Sequence, residues 1–270
     1  MKQVFGTLAF ACACAAYAQS YVSPEFLAPA PNGGAYVTEA TAARVAEVGR
    51  DGRVVRQWPV SANPTGIAAG GGFVYVTSGE ANGELRKYAL DGACVKSAAV
   101  GHSPCAPVIS KDGGTVYVLN RFAAQVSVLD AGKMSVVKTV KVLREPFAAT
   151  LGAEGKYLFV ANMLPYCAAT NDVVAASVSV IDTRTFDVRH ILLPNGSTGV
   201  RGIASSPDGK SVYVTHTMGR YQLPTTQLER GWMNTAALSV FDGATGAYVN
   251  TVLLDDVYRG GANPWGVAVT

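Results

Sequence analysis

Apolar residues along this chain fall in short runs, rich in Val, Tyr, Ile and Thr, that alternate in part with polar positions and break at Gly and Asp. One phrase recurs: Ala35-Tyr36-Val37-Thr38, Val74-Tyr75-Val76-Thr77, Val116-Tyr117-Val118-Leu119-Asn120, Leu158-Phe159-Val160-Ala161-Asn162 and Val212-Tyr213-Val214-Thr215-His216. Its aromatic centres stand at 36, 75, 117, 159 and 213, steps of 39, 42, 42 and 54 residues. The third unit reads as four strands. Ala106–Ile109 leads through the turn Lys111-Asp112-Gly113-Gly114 to Val116–Leu119, then Gln125–Asp130, a turn at Ala131-Gly132, and Val136–Val140. Helical periodicity is absent outside the first twenty residues. A period near 40 built of strands alone predicts an all-β chain of four-stranded antiparallel blades, a β-propeller.

Other units keep this frame. Gly202-Ile203-Ala204-Ser205-Ser206-Pro207-Asp208-Gly209-Lys210 precedes Tyr213, and the third strands Val178–Asp182 and Leu238–Asp242 end on the same Asp, with a weaker copy at Leu85–Asp91. With its PDGK-type hairpin, YVTN-like strand and VSVID-like strand, the chain resembles the YVTN-type β-propeller repeat family over roughly residues 24 to 270. The resemblance implies a ring that usually has seven blades. It leaves function open, because that family includes binding modules, surface-layer proteins and propellers associated with c-type cytochrome domains; related propellers are lactonases.

Pro104 and Pro146 each stand 13 residues before their aromatic, and Asn263–Val269 repeats that element, which places the next aromatic near position 277, beyond Thr270. The expectation is five blades and the start of a sixth, a piece of a seven-bladed ring. The alternative is a last strand that completes the first blade. Pro24–Ala28, 12 residues before Tyr36, already reads as the first blade's own inner strand.

Lys2, the apolar stretch Val4–Ala16 and Ala16-Tyr17-Ala18 before Gln19 read as a signal peptide over residues 1–18, with residues 19–270 the propeller. A lipoprotein through Cys12 or Cys14 is the other reading, and the apolar stretch is short for a membrane span. Either way the chain is expected to be exported, to the periplasm or cell surface. Cleavage leaves Cys94, Cys105 and Cys167, of which Cys94 with Cys105 is the sequence-near candidate for a disulfide; three buried free thiols are the alternative. No Cys-x-x-Cys-His motif occurs, so haem would come only with a fused or partner domain, and no spacing suggests a metal site. Formal charge is +3, or +2 without Lys2, and no basic run exists, which argues against nucleic acid as a partner.

Function is expected in the loops. From hairpin aromatic to closing Asp the distance is 13 residues in the third unit but 23 in the fourth and 29 in the fifth. Antiparallel strands place these two insertions on the same face as the inter-blade segments, and insertions gathered on one face mark a binding face. The candidate contact residues are Asn120, Tyr166, Arg201, His216, Arg220, Tyr221, Trp232, Asn234 and Trp265. The expected role is a binding or scaffold module for a protein, glycan or small ligand. The alternatives are the propeller part of a redox protein working with a c-type cytochrome, or a lactonase-like hydrolase in which Arg201, His216 and Asn120 polarise a carbonyl or carry a proton. Asp91, Asp130, Asp182 and Asp242 read as turn caps instead of catalytic acids.

Overall fold

The computed structural model describes residues 21–221, 233–256, 258–261 and 263–270; residues 1–18, expected from the sequence to be a signal peptide, and Trp232 lie outside them. Five four-stranded antiparallel sheets follow one another, each a plain meander. The first is β1 (Pro24–Pro29), β2 (Ala35–Glu39), β3 (Arg44–Val48) and β4 (Val54–Pro59); the second is β5 (Pro64–Gly70), β6 (Phe73–Ser78), β7 (Gly83–Ala89) and β8 (Cys94–Val100). The third is β9 (Pro104–Ile109), β10 (Thr115–Asn120), β11 (Gln125–Asp130) and β12 (Ser135–Lys141); the fourth is β13 (Pro146–Leu151), β14 (Tyr157–Asn162), β15 (Ser177–Asp182) and β16 (Val188–Leu192). The fifth is β17 (Ser197–Ser205), β18 (Ser211–Gly219), β19 (Asn234–Asp242) and β20 (Tyr248–Leu253). The innermost strands β1, β5, β9, β13 and β17 touch in chain order, the arrangement of propeller blades around an axis.

This packing explains why the recurring phrase is nearly continuous in apolar character. The second strand of a blade lies between the neighbouring blades, so both of its faces are covered. Val116, Val118 and Leu119 are completely buried, as are Leu158, Phe159, Val160 and Ala161. Each buried Val, Leu or aromatic side chain contributes about 1.5–3 kcal/mol. The outermost strands, β12 among them, face solvent along most of their length.

Turn chemistry carries the meander. In the third blade Gly113 takes φ 71°, the Ser110 hydroxyl donates to Asp112 at 2.5 Å, and the Asp112 carboxylate accepts from the Gly114 N–H at 2.9 Å. The fifth blade repeats this with Gly209 at φ 69° and Asp208 accepting from Lys210 N–H at 3.0 Å. The closing acids are caps: Asp130 accepts from the N–H of Gly132 and Lys133, Asp182 from Arg184 and Thr185, Asp242 from Ala244 and Thr245. Those backbone hydrogen bonds hold all three carboxyls below the usual Asp range.

β1 pairs with β2, so the first blade is built from four strands of its own. Asn263–Thr270 joins no ladder and lies against β17, where a Cβ on Gly202 would come within 2.7 Å of the Trp265 carbonyl oxygen. Gly66 makes the equivalent approach in blade two, 2.7 Å from the Ala106 nitrogen of the next inner strand. The segment therefore sits beside blade five as one inner strand sits beside the next. Among the described residues no helix is long and apolar enough to cross a membrane.

Candidate functional site

Each inner strand opens in the same way. The residue before it in the first four blades, Ser23, Asn63, Ser103 or Glu145, and Gly199 near the start of β17 have a left-handed backbone with φ between 47° and 63°. Four of the five are not glycine and precede proline, where such a conformation is disfavoured. A repeated hydrogen bond fixes three of them: Ala40 N–H to Ser23 O at 2.9 Å, Arg121 N–H to Ser103 O at 3.0 Å and Met163 N–H to Glu145 O at 2.8 Å. Recurrence in successive blades makes this part of the repeat. Its effect is to turn the residue after the Pro position, Glu25, Thr65, Cys105 and Phe147, into a common cavity of about 600 Å³ that Trp265 also lines. That volume is within the range of small-molecule sites.

The second-to-third-strand loops close the cavity from outside through Gly79, Glu80, Arg121 and Phe122, joined by His102 and Ser103 from an inter-blade turn. Loops and inter-blade turns thus share a face. A continuous chain of ring contacts runs around one side. Arg201 lies over Trp265 at 4.3 Å, Trp265 meets Phe147 edge-on at 6.3 Å, Arg121 lies over Phe147 at 5.2 Å and over Phe122 at 5.0 Å, and Phe122 meets His102 edge-on at 5.6 Å. Arg121 also pairs with Glu145 at 2.8 Å. Glu25 and Glu80 line the same cavity, exposed, with no side-chain partner among the described residues.

Cys105 lies in the cavity wall, its sulfur 3.7 Å from Pro146 O and 3.8 Å from Phe147 O. Burial pushes its thiol up to about 12 against the opposing charge of Arg121, so the protonated form, a poor nucleophile, prevails at neutral pH. Cys94 is exposed on the outermost strand of blade two while Cys105 belongs to the innermost strand of blade three, and both are free, as is Cys167. The disulfide offered for Cys94 and Cys105 is not formed.

The candidates from the sequence separate into four groups. Arg201 and Trp265 meet at the cavity. Arg220, Tyr221 and Asn234 gather at the root of the blade-five insertion, where Arg220 N–H donates to Met233 O at 2.7 Å and Asn234 pairs with Gly219. Tyr166 is exposed on the blade-four loop. Asn120 and His216 are completely buried inside separate blades.

This last group has one explanation. Asn120, Asn162 and His216 hold the same repeat position and reach the same partner, a third-strand serine: Asn120 Nδ2 to Ser127 Oγ, Asn162 Nδ2 to Ser179 Oγ and His216 Nε2 with Ser239 Oγ, each at 2.9 Å. Desolvation brings His216 down to about 4, so it is neutral at pH 7. Arg201, His216 and Asn120 do not converge, and His102 does not approach His216. His190 bonds Ser179 Oγ at 2.9 Å in the outer half of its blade.

Reading one residue past the aligned prolines would have found Glu25, Cys105 and Phe147. Arg121, Phe122 and Glu80 carry no such signal, since their loops differ between blades. Among the described residues no group of three or more His, Cys, Asp or Glu is placed to hold a metal ion.

The fold and the cavity at its axis define the class: a β-propeller, as its solved neighbours are. A chain of the Kuenenia stuttgartiensis hydrazine synthase superposes over 98% of this chain and 73% of its own, with a TM-score of 0.79 and 24% identity. Streptogramin B lyase matches over 92% of this chain and 88% of its own, with a TM-score of 0.60 and 14% identity. In sequence, hydrazine synthase subunit beta of Kuenenia stuttgartiensis is 27% identical over 148 residues, which span 53% of this chain and 36% of that relative. No protein-family model matches the chain.

Proposed function

We propose that this propeller is a binding or scaffold module that seats a partner protein on its loop face, as an exported chain. One observation carries the proposal. Of the exposed aromatic side chains among the described residues, Phe122, Tyr166, Tyr221 and Tyr258 lie in inter-blade segments or second-to-third-strand loops, at one end of the blades, while Tyr21 precedes β1 and Trp265 lies beside β17. Exposed rings are costly in water, and aromatic and Arg side chains are the usual anchors of interfaces. Arg201 and Arg220 stand on the same face. Similarity to a chain named as one subunit of a synthase favours a protein over a glycan or a small ligand as the main occupant.

The test uses the chain as it assembles in its source cells. Purified under native conditions, the wild type is expected in a complex of defined stoichiometry. A Tyr166→Ala, Arg220→Ala, Tyr221→Ala variant is expected to elute alone with an unchanged circular dichroism spectrum. A wild type that elutes alone, or a variant that keeps its partner, overturns the proposal.

A further inference from the structure

We propose that the axial cavity binds a small organic cation, a protonated or quaternary amine with an apolar body. Its walls supply what such a ligand needs. Phe26, Phe122, Phe147 and Trp265 line it, and ring faces attract cations through their quadrupole, more strongly where water is displaced. The charges around it decide the sign. Arg121 is neutralised by Glu145 at 2.8 Å, whereas Glu25 and Glu80 face the cavity without a cation of their own. Arg201 is spent on the ring of Trp265, at 4.3 Å, and is not among the lining residues.

An anion entering this space would meet two carboxylates; a neutral apolar ligand would cover them and leave them uncompensated. A cation answers both, and the remaining volume of about 600 Å³ accommodates an aromatic or branched aliphatic body. Neither Tyr166 nor Tyr221 lines the cavity. Partner docking and cation binding can therefore fail separately.

Calorimetric titration of the full chain at pH 8 tests this with three probes that share one ring: benzyltrimethylammonium, benzyl alcohol and benzoate. The expected order places the ammonium at least about ten-fold tighter than the alcohol, and benzoate weakest. Glu25→Gln and Glu80→Gln, both exposed and free of structural partners, are each expected to weaken the ammonium by about five- to ten-fold while leaving the alcohol unchanged. Benzoate binding as tightly as the ammonium, no binding of any probe, or a double variant with undiminished ammonium affinity overturns the proposal.

Discussion

His216→Asn separates what this histidine does for the blade from what it could do as an acid. Asn is the residue that the same repeat position carries in blades three and four, where it bonds the third-strand serine at 2.9 Å, so the substitution keeps a donor for Ser239 and removes the titration. The imidazole titrates at 6.5 when exposed and at about 4 in the fold, because burial penalises its charged form. The folded value is depressed, so the stability associated with the neutral ring is complete above pH 6.5 and is lost progressively as pH falls toward 4. At pH 5 the loss relative to pH 8 amounts to about 2 kcal/mol. This window lies above the ordinary Asp range, so the capping carboxylates add little slope, and His190, also lowered by burial, contributes equally to both proteins. Urea unfolding at pH 8 and pH 5 is the assay. The wild type should lose about 2 kcal/mol more than His216→Asn between these values. Identical slopes, or an imidazole that titrates near 6.5 by NMR in the folded chain, would refute the reasoning.

Lys87 is buried, donates to Ala131 O at 2.9 Å from the next blade and lies 3.7 Å over the Phe73 ring; Lys87→Ala should lower the free energy of unfolding by about 2–3 kcal/mol in urea melts, and an unchanged midpoint would contradict that inter-blade role. Gly66→Ala forces a Cβ to within 2.7 Å of the Ala106 nitrogen and should destabilise by about 1–3 kcal/mol, whereas Gly72→Ala, with open space around it, should be limited to backbone strain at φ 81°. Gly202→Ala should push Trp265 away from Arg201 and Phe147, read as a shift in tryptophan emission that Gly66→Ala does not reproduce. Mass spectrometry of the protein from its source cells should find a mature chain beginning at Gln19; an intact Met1 would remove the case for export.

The five four-stranded sheets, their strand order and their turn chemistry were legible because the repeat states them several times over, and because strands covered on both faces must be apolar throughout. The acids at strand ends were legible for the same reason: a residue that recurs once per blade serves the blade. His216 was harder. It looked distinctive because it departs from Asn at its position, but the departure preserves the hydrogen bond to a third-strand serine. Chemical novelty in one copy of a repeat is therefore a weak sign of function unless the side chain also leaves the blade. The disulfide offered for Cys94 and Cys105 had the same weakness, since nearness in sequence spans the whole width of a blade when one residue is outermost and the other innermost.

The cavity follows the opposite logic. Five of its wall residues occupy one repeat position, the residue after the proline, and there the repeats disagree in side chain: Glu25, Thr65, Cys105, Phe147 and Trp265 share no chemistry. A position whose main chain is held in place by a left-handed residue and a repeated hydrogen bond can change its side chain without disturbing the sheet behind it. The strain accepted at Ser23, Asn63, Ser103 and Glu145 is structural in origin, yet it is what aims the four unlike side chains Glu25, Thr65, Cys105 and Phe147 at one cavity. Selectivity in this molecule is then open to change by substitution at that position. Exchanging Glu25 for Lys should reverse the preference of the cavity from ammonium to benzoate while leaving the urea midpoint unchanged, and a reversed preference that came with a collapsed midpoint would show that side chain and backbone are not separable there.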